Sequence, residues 1–348
     1  MAYTDIDDPS AFFQCTLYVG DGGTDNEVTN SGNSDLQPDM VWIKNRDQAD
    51  WHHITDSVRG VNKVVYPNDA NAEQTTNYVK ALNSDGFTIG AAGHDANASS
   101  ENYVAWQWKA GTSFTNDASS TGIGSLDSTG SVNTDAGFSI ISFAGASTVS
   151  TVAHGLGVAP KMMIFKNRSD SDHWGVYHQS LGSNAAMYLN LNGAVDGTLW
   201  NNTAPTTSVF TVQNNSAVNG SDNNIIAYCF AEKKGYSKLG SYTGNGNVDG
   251  TFVYTGFKPA FVFVKRTNGT ENWTIMDTTR DTFNVATKKL HPNLAAGLDN
   301  GATIDILSNG FKNRTTNAGA NGSGDSYIFY AIAENPFVTS TGVPATAR

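Results

Sequence analysis

Pro38-Asp39-Met40-Val41-Trp42-Ile43-Lys44 returns twice along the chain, as Pro160-Lys161-Met162-Met163-Ile164-Phe165-Lys166 and as Pro259-Ala260-Phe261-Val262-Phe263-Val264-Lys265. Each copy is a proline, a short apolar run and a lysine six residues after the proline. An arginine follows each time, at Arg46, Arg168 and Arg266. Eighteen residues after each proline stands a polar, ionisable side chain: Asp56, His178 and Asp277. A tryptophan precedes it by four or five residues, at Trp51, Trp174 and Trp273. Offsets held across three copies mark an internal repeat, and a repeat decides the architecture before any single motif does.

The match extends outward on both sides. Downstream, a strand-like aromatic recurs at Phe87, Phe210 and Phe311. A turn follows: Asn97-Ala98-Ser99, Asn219-Gly220-Ser221 and Asn321-Gly322-Ser323. Nine residues after each asparagine an aromatic (Trp106, Tyr228, Tyr330) lies in a closing apolar strand. Upstream, each unit opens on a strand ending Tyr18-Val19-Gly20, Phe143-Ala144-Gly145 or Tyr242-Thr243-Gly244. The expected layout is an N-terminal arm (1–9), β units at 10–110, 137–235 and 236–337, a Ser/Thr/Gly-rich linker (111–136) between the first two, and a C-terminal tail (338–348). Glu232-Lys233-Lys234-Gly235 runs straight into Tyr236, so the second and third units should pack rigidly.

Runs such as Ser208-Val209-Phe210-Thr211-Val212 alternate as half-buried strands do, and Met162-Met163-Ile164-Phe165 suits a strand covered on both faces. Asn- and Gly-rich breaks supply the turns. Only Asn71–Leu82 allows a short helix. The fold class expected is all-β: three tandem homologous β-sandwich-like units packed together.

Composition agrees and excludes several functions. Charged residues make up 15% of the 348, where a quarter is usual, while 35 glycines and 11% aromatics suit many short strands joined by turns. The net charge is −11 and no Lys/Arg run exceeds two, so a nucleic-acid-binding surface is not expected. No apolar stretch is long enough to cross a bilayer as a helix, so no membrane insertion is expected. The acidic start, Asp5-Ile6-Asp7-Asp8, does not read as a signal peptide. Cys15 and Cys229 sit in apolar runs and read as small buried hydrophobes.

Chemistry-bearing patterns are sparse. The seven histidines (His52, His53, His94, His154, His173, His178, His291) form no His-Glu-x-x-His pattern, and two cysteines are too few for a structural zinc site. There is no Gly-x-Ser-x-Gly elbow, and Gly244-Asn245-Gly246 precedes no helix. Asp56 and Asp277 are each followed three residues later by an arginine (Arg59, Arg280), which favours a structural ion pair over acid–base catalysis; His178 is followed by Leu181. The Asn-x-Ser triplets read as turns rather than glycan acceptors. The repeated tryptophans read first as core, with sugar-stacking platforms as the other reading. No catalytic, cofactor-binding or metal-binding residue is assigned, and no enzyme is expected.

Three groups of motifs together resemble a repeat family of virion structural proteins of tailed, often marine, bacteriophages. They are Met40-Val41-Trp42-Ile43-Lys44-Asn45-Arg46 with Asp56-Ser57-Val58-Arg59-Gly60; Gly155-Leu156-Gly157-Val158-Ala159-Pro160-Lys161; and Gly240-Ser241-Tyr242-Thr243-Gly244-Asn245-Gly246 through Gly256-Phe257-Lys258-Pro259, closing with Ala333-Glu334-Asn335-Pro336-Phe337. The resemblance covers nearly the whole chain. It implies a non-enzymatic virion protein, part of a tail fibre or other external appendage that contacts the host surface. A capsid decoration or head-knob protein is the alternative, and a polysaccharide-degrading appendage enzyme the second. Expected partners are other virion proteins, identical copies in a homo-oligomer (a trimer favoured) and a host-surface glycan or protein. The expected location is the virion, with Met1 to Phe12 as the anchor.

Overall fold

The computed structural model describes residues 4–346. Met40–Asn45 and Met162–Asn167 are buried at all six positions, so each strand must be covered on both faces. Successive side chains of a strand point to opposite faces, and here the two faces serve different cores. Met40 and Trp42, Met162 and Ile164, and Phe261 and Phe263 all enter one shared central core. The alternate residues go to three separate peripheral cores: Val41 and Ile43 to one, Met163 and Phe165 to another, Val262 and Val264 to the third.

These strands lie in three sheets with one strand order. The first runs Phe13–Val19, Asn102–Trp108, Met40–Asn45, His53–Asp56. The second contains Phe138–Ala144, Asn224–Phe230, Met162–Asn167, Gly175–His178. The third runs Ser237–Thr243, Ser326–Pro336, Phe257–Arg266, Thr274–Asp277. All pairings within these sets are antiparallel, and the registers match. Trp42 faces Trp106, Ile164 faces Tyr228 and Phe263 faces Tyr330. Met40, Met162 and Phe261 face Asp56, His178 and Asp277. Lys44, Lys166 and Lys265 lie opposite Val104, Ile226 and Ile328, one common position in the three sheets.

Smaller sheets cover the outer faces and make the architecture sandwich-like. They are Asn26–Val28 with Gly86–Ile89 and Val79–Asn83; Ser150–Ala153 with Val209–Val212; and Phe252–Tyr254, Gly310–Asn313, Asp299–Leu307 and Ala286–Lys289. The inner faces meet one another. Trp108 packs edge-on to both Phe230 and Phe261, and Phe230 lies 5.1 Å from Tyr330, so rings from all three sheets interlock. Each such aromatic removes 150–250 Å² from water, a gross gain of about 4–6 kcal/mol. A void of about 20 Å³ remains among them, lined by Met40, Trp42, Met162, Ile164, Phe261 and Phe263 with their neighbours. Its walls are apolar, so it stays dry.

Three expectations need correction. The stretch 111–136 is no bare linker. Thr112–Asn116 and Ser128–Asn133 pair with each other and then with Phe138–Ala144, extending the second sheet to seven strands. Its serines and threonines are strand residues, and Asp117 caps the turn Ala118–Thr121 between them. Within 71–82 the chain forms strands at Gln74–Thr75 and from Val79 onward, because Thr75, Thr76, Asn77 and Val79 are poor helix formers. The supposed arm is not free: Thr4 bonds Lys234 O at 3.3 Å, Ile6 is in the central core and Phe12 packs against it, so deleting Met1 to Phe12 would remove core contacts. Met1 to Tyr3 lie outside the described residues. The tail folds back, with Val338 bridging Pro344 and Ser340 N bonded to Asp7 Oδ1 at 2.7 Å.

Candidate functional site

The polar side chains singled out by the repeat sit where one sheet meets the next. Asp56 ends its strand facing the central core. Its Oδ1 accepts from Val58 N and Arg59 N, and its Oδ2 from Arg59 Nε at 2.5 Å and from Tyr228 of the second sheet at 2.7 Å. Asp277 repeats the arrangement: Oδ1 accepts from Arg280 N, and Oδ2 from Arg280 Nε at 2.6 Å and from Trp106 Nε1 of the first sheet at 3.0 Å. Both aspartate and arginine side chains are fully buried. His178 takes the same place differently. Its Nδ1 accepts from Ser180 N, which puts the proton on Nε2, and Nε2 donates to Phe329 O of the third sheet at 3.2 Å. The closing strand of the second sheet thus reaches the first sheet's slot, that of the third reaches the second's, and that of the first reaches the third's. The cycle closes.

A second ring of contacts runs the other way. Trp174 Nε1 donates to Tyr66 O and Asp69 O at 2.9 and 3.0 Å, and Trp273 Nε1 donates to Tyr188 O at 3.0 Å. The third member is His52, not Trp51. His52 lies fourteen residues after its proline, as Trp174 and Trp273 do. Its Nδ1 accepts from Trp42 Nε1 and its Nε2 donates to His291 O at 3.1 Å. Trp51 is half-buried and rests edge-on against Tyr66. Counting tryptophans missed His52; counting from the proline finds it. Trp174 and Trp273 are buried, so they are core residues with no face for a sugar to stack on.

The three lysines are buried and donate to main-chain carbonyls. Lys44 reaches Asn45 O and Gln48 O, Lys166 reaches Ala70 O and Asp172 O, and Lys265 reaches Asn192 O and Arg266 O. Burial pushes each ammonium down to about 8. Ala70 and Asn192 lie 96 and 73 residues before the lysines they bind, so two of these lysines also tie distant segments together.

Asn97, Asn219 and Asn321 are buried, which closes them to glycosylation in the folded chain. Each Oδ1 accepts from the amide just after the opening strand's glycine: Asp21 N, Ala146 N and Asn245 N. A Cβ on Gly20, Gly145 or Gly244 would lie 2.2–2.3 Å from a carbonyl oxygen of the same turn, so only glycine fits there. Cys15 and Cys229 are free thiols, Cys229 buried and Cys15 half-buried.

Among the described residues, two of the polar groupings at the surface include a histidine beside carboxylates. One is a cleft of about 170 Å³ lined by Glu271, Lys289, His291, Asp299 and Asn317, in which Lys289 and His291 both face Asp299, at 3.1 and 3.3 Å. The other gathers Asp50, His94 and Glu101.

A family described as Domain of unknown function (DUF7483) matches residues 8–336, and the chain belongs to it. No curated protein and no solved structure matches the chain.

Proposed function

We propose that the chain consists of three homologous units closed into a ring about a pseudo-threefold axis, and that it serves as a non-enzymatic structural component of a bacteriophage virion. In this reading it belongs to a tail fibre or other external appendage that contacts the host surface. The observation that carries the structural half is the closed cycle Tyr228 to Asp56, His178 to Phe329 O, Trp106 to Asp277. Such a ring ties every unit to both others through a shared core and needs no disulfide. That suits a part which must keep its shape outside a cell.

The polar groups the repeat would offer to catalysis support the same reading, since they are engaged internally. Asp56 and Asp277 spend their oxygens on buried arginines and cross-sheet donors. Closing the ring within one chain also supplies the threefold arrangement for which a homotrimer was expected. Further assembly would therefore use the outer faces. The capsid-decoration reading gains from the same feature, because a compact block with approximate threefold symmetry can seat on a threefold position of a shell.

Immunogold labelling of intact particles tests the proposal. Label on an appendage supports the leading reading, label over the shell the alternative, and absence of label from particles overturns both. Release of reducing sugar from host envelope by the purified chain would instead support a polysaccharide-degrading appendage enzyme.

A further inference from the structure

We propose that the first unit binds one divalent transition-metal cation through Asp50, His94 and Glu101. Ligand atoms from these three side chains all lie within 4.8 Å of one another. Asn45 holds the carboxylates in place: its buried Nδ2 donates to Asp50 Oδ2 at 2.7 Å and to Glu101 Oε2 at 2.6 Å. Its Oδ1 accepts from Asp47 N and Gln48 N, which fixes the orientation of the amide. Glu101 Oε1 faces His94 Nδ1 at 2.9 Å, and the His94 side chain is 72% exposed, leaving the cluster open to solvent.

The third unit supplies an independent indication of what belongs there, and that comparison rests on the repeat reading. Counted from the repeated proline and asparagine, Glu271 corresponds to Asp50, Asp325 to Glu101, Tyr327 to Tyr103 and Arg266 to Asn45. Arg266 Nη2 meets Asp325 Oδ1 at 2.6 Å, so a guanidinium cation neutralises the acid at this place in the third unit. In the second unit Asn223 stands at the position of Glu101, and that acid is lost. The first unit keeps both acids but has the neutral Asn45 in place of the arginine. Lys44 turns its ammonium to the carbonyls of Asn45 and Gln48. The place that Arg266 fills in the third unit is thus held in the first by the neutral Asn45, with His94 as the group facing Glu101.

One imidazole and two carboxylates suit zinc or manganese better than calcium or magnesium, which prefer all-oxygen shells. On binding, the proton that His94 Nδ1 shares with Glu101 is released to solvent, Nδ1 and the carboxylate each bond the metal instead, the imidazole carries its remaining proton on Nε2, and water completes the shell.

Isothermal titration of the full chain with zinc chloride and with manganese chloride tests this. The expected result is one saturable site with micromolar or tighter affinity for at least one of them, weakened at least tenfold in both Glu101→Gln and His94→Ala. Asn45→Arg, which installs the third unit's cation, should abolish binding. No saturable binding by either metal, binding that Glu101→Gln and His94→Ala leave intact, or preference for calcium overturns the proposal. Binding lost in Glu101→Gln but kept in a folded Asn45→Arg would leave the metal site standing and contradict the repeat correspondence instead.

Discussion

His52, His154 and His178 share one wiring: Nδ1 accepts a main-chain or indole N–H, and Nε2 donates to a carbonyl. A second proton would have to sit on Nδ1, facing the N–H already there. Burial reinforces the effect, pushing His178 down to about 4 and His53 to about 3 and holding His52 and His154 below the ordinary imidazole value. The unfolded chain takes up these protons near pH 6.5, whereas the native chain resists them. Their contribution is complete above pH 6.5 and is lost as pH falls from there toward the folded values of about 4 for His178 and about 3 for His53. Urea unfolding at pH 7.5 and 5 should show that loss, and His178→Asn should flatten the difference by one proton's worth; an unchanged slope contradicts the neutral assignment. Tyr228→Phe removes one donor to a buried carboxylate and should cost about 1–3 kcal/mol in the same assay. A loss below 0.5 kcal/mol would mean the contact across the sheets contributes little.

At the scale of elements, Thr112–Asn116 and Ser128–Asn133 protect the outer edge of Phe138–Ala144. Replacing 112–133 by a short Gly/Ser connector bares that edge, and an unpaired edge is a template for association. Light scattering should show the shortened chain aggregating; a monodisperse and equally stable product would restore the linker reading. This segment also marks the limit of what the sequence made legible. The Pro-to-Lys runs, the closing aromatics and the Asn turns were readable because they recur at fixed offsets and alternate between two cores. The 111–136 hairpin has no counterpart in the first and third sheets and carries Ser and Thr where a core strand would carry Val or Ile, so its composition resembles a connector. The candidate site was half legible. Asp56 with Arg59 and Asp277 with Arg280 announce ion pairs by their spacing, but their cross-sheet donors, Tyr228 and Trp106, lie more than 170 residues away. The Asp50, His94 and Glu101 cluster gave no sign, because the turn that gathers it joins loops distant in sequence.

For the whole molecule, the proposed ring makes its three units one folding entity. Each sheet puts one face into a core supplied by all three, so an excised unit would expose its share of the central aromatics to water. A chain of this length with separable domains would unfold in several steps. Differential scanning calorimetry of the intact chain tests the claim most directly. The account predicts a single transition whose calorimetric enthalpy equals its van't Hoff enthalpy. Two or three resolved transitions, or a calorimetric enthalpy near three times the van't Hoff value, would mean that the units fold independently and would contradict the closed ring.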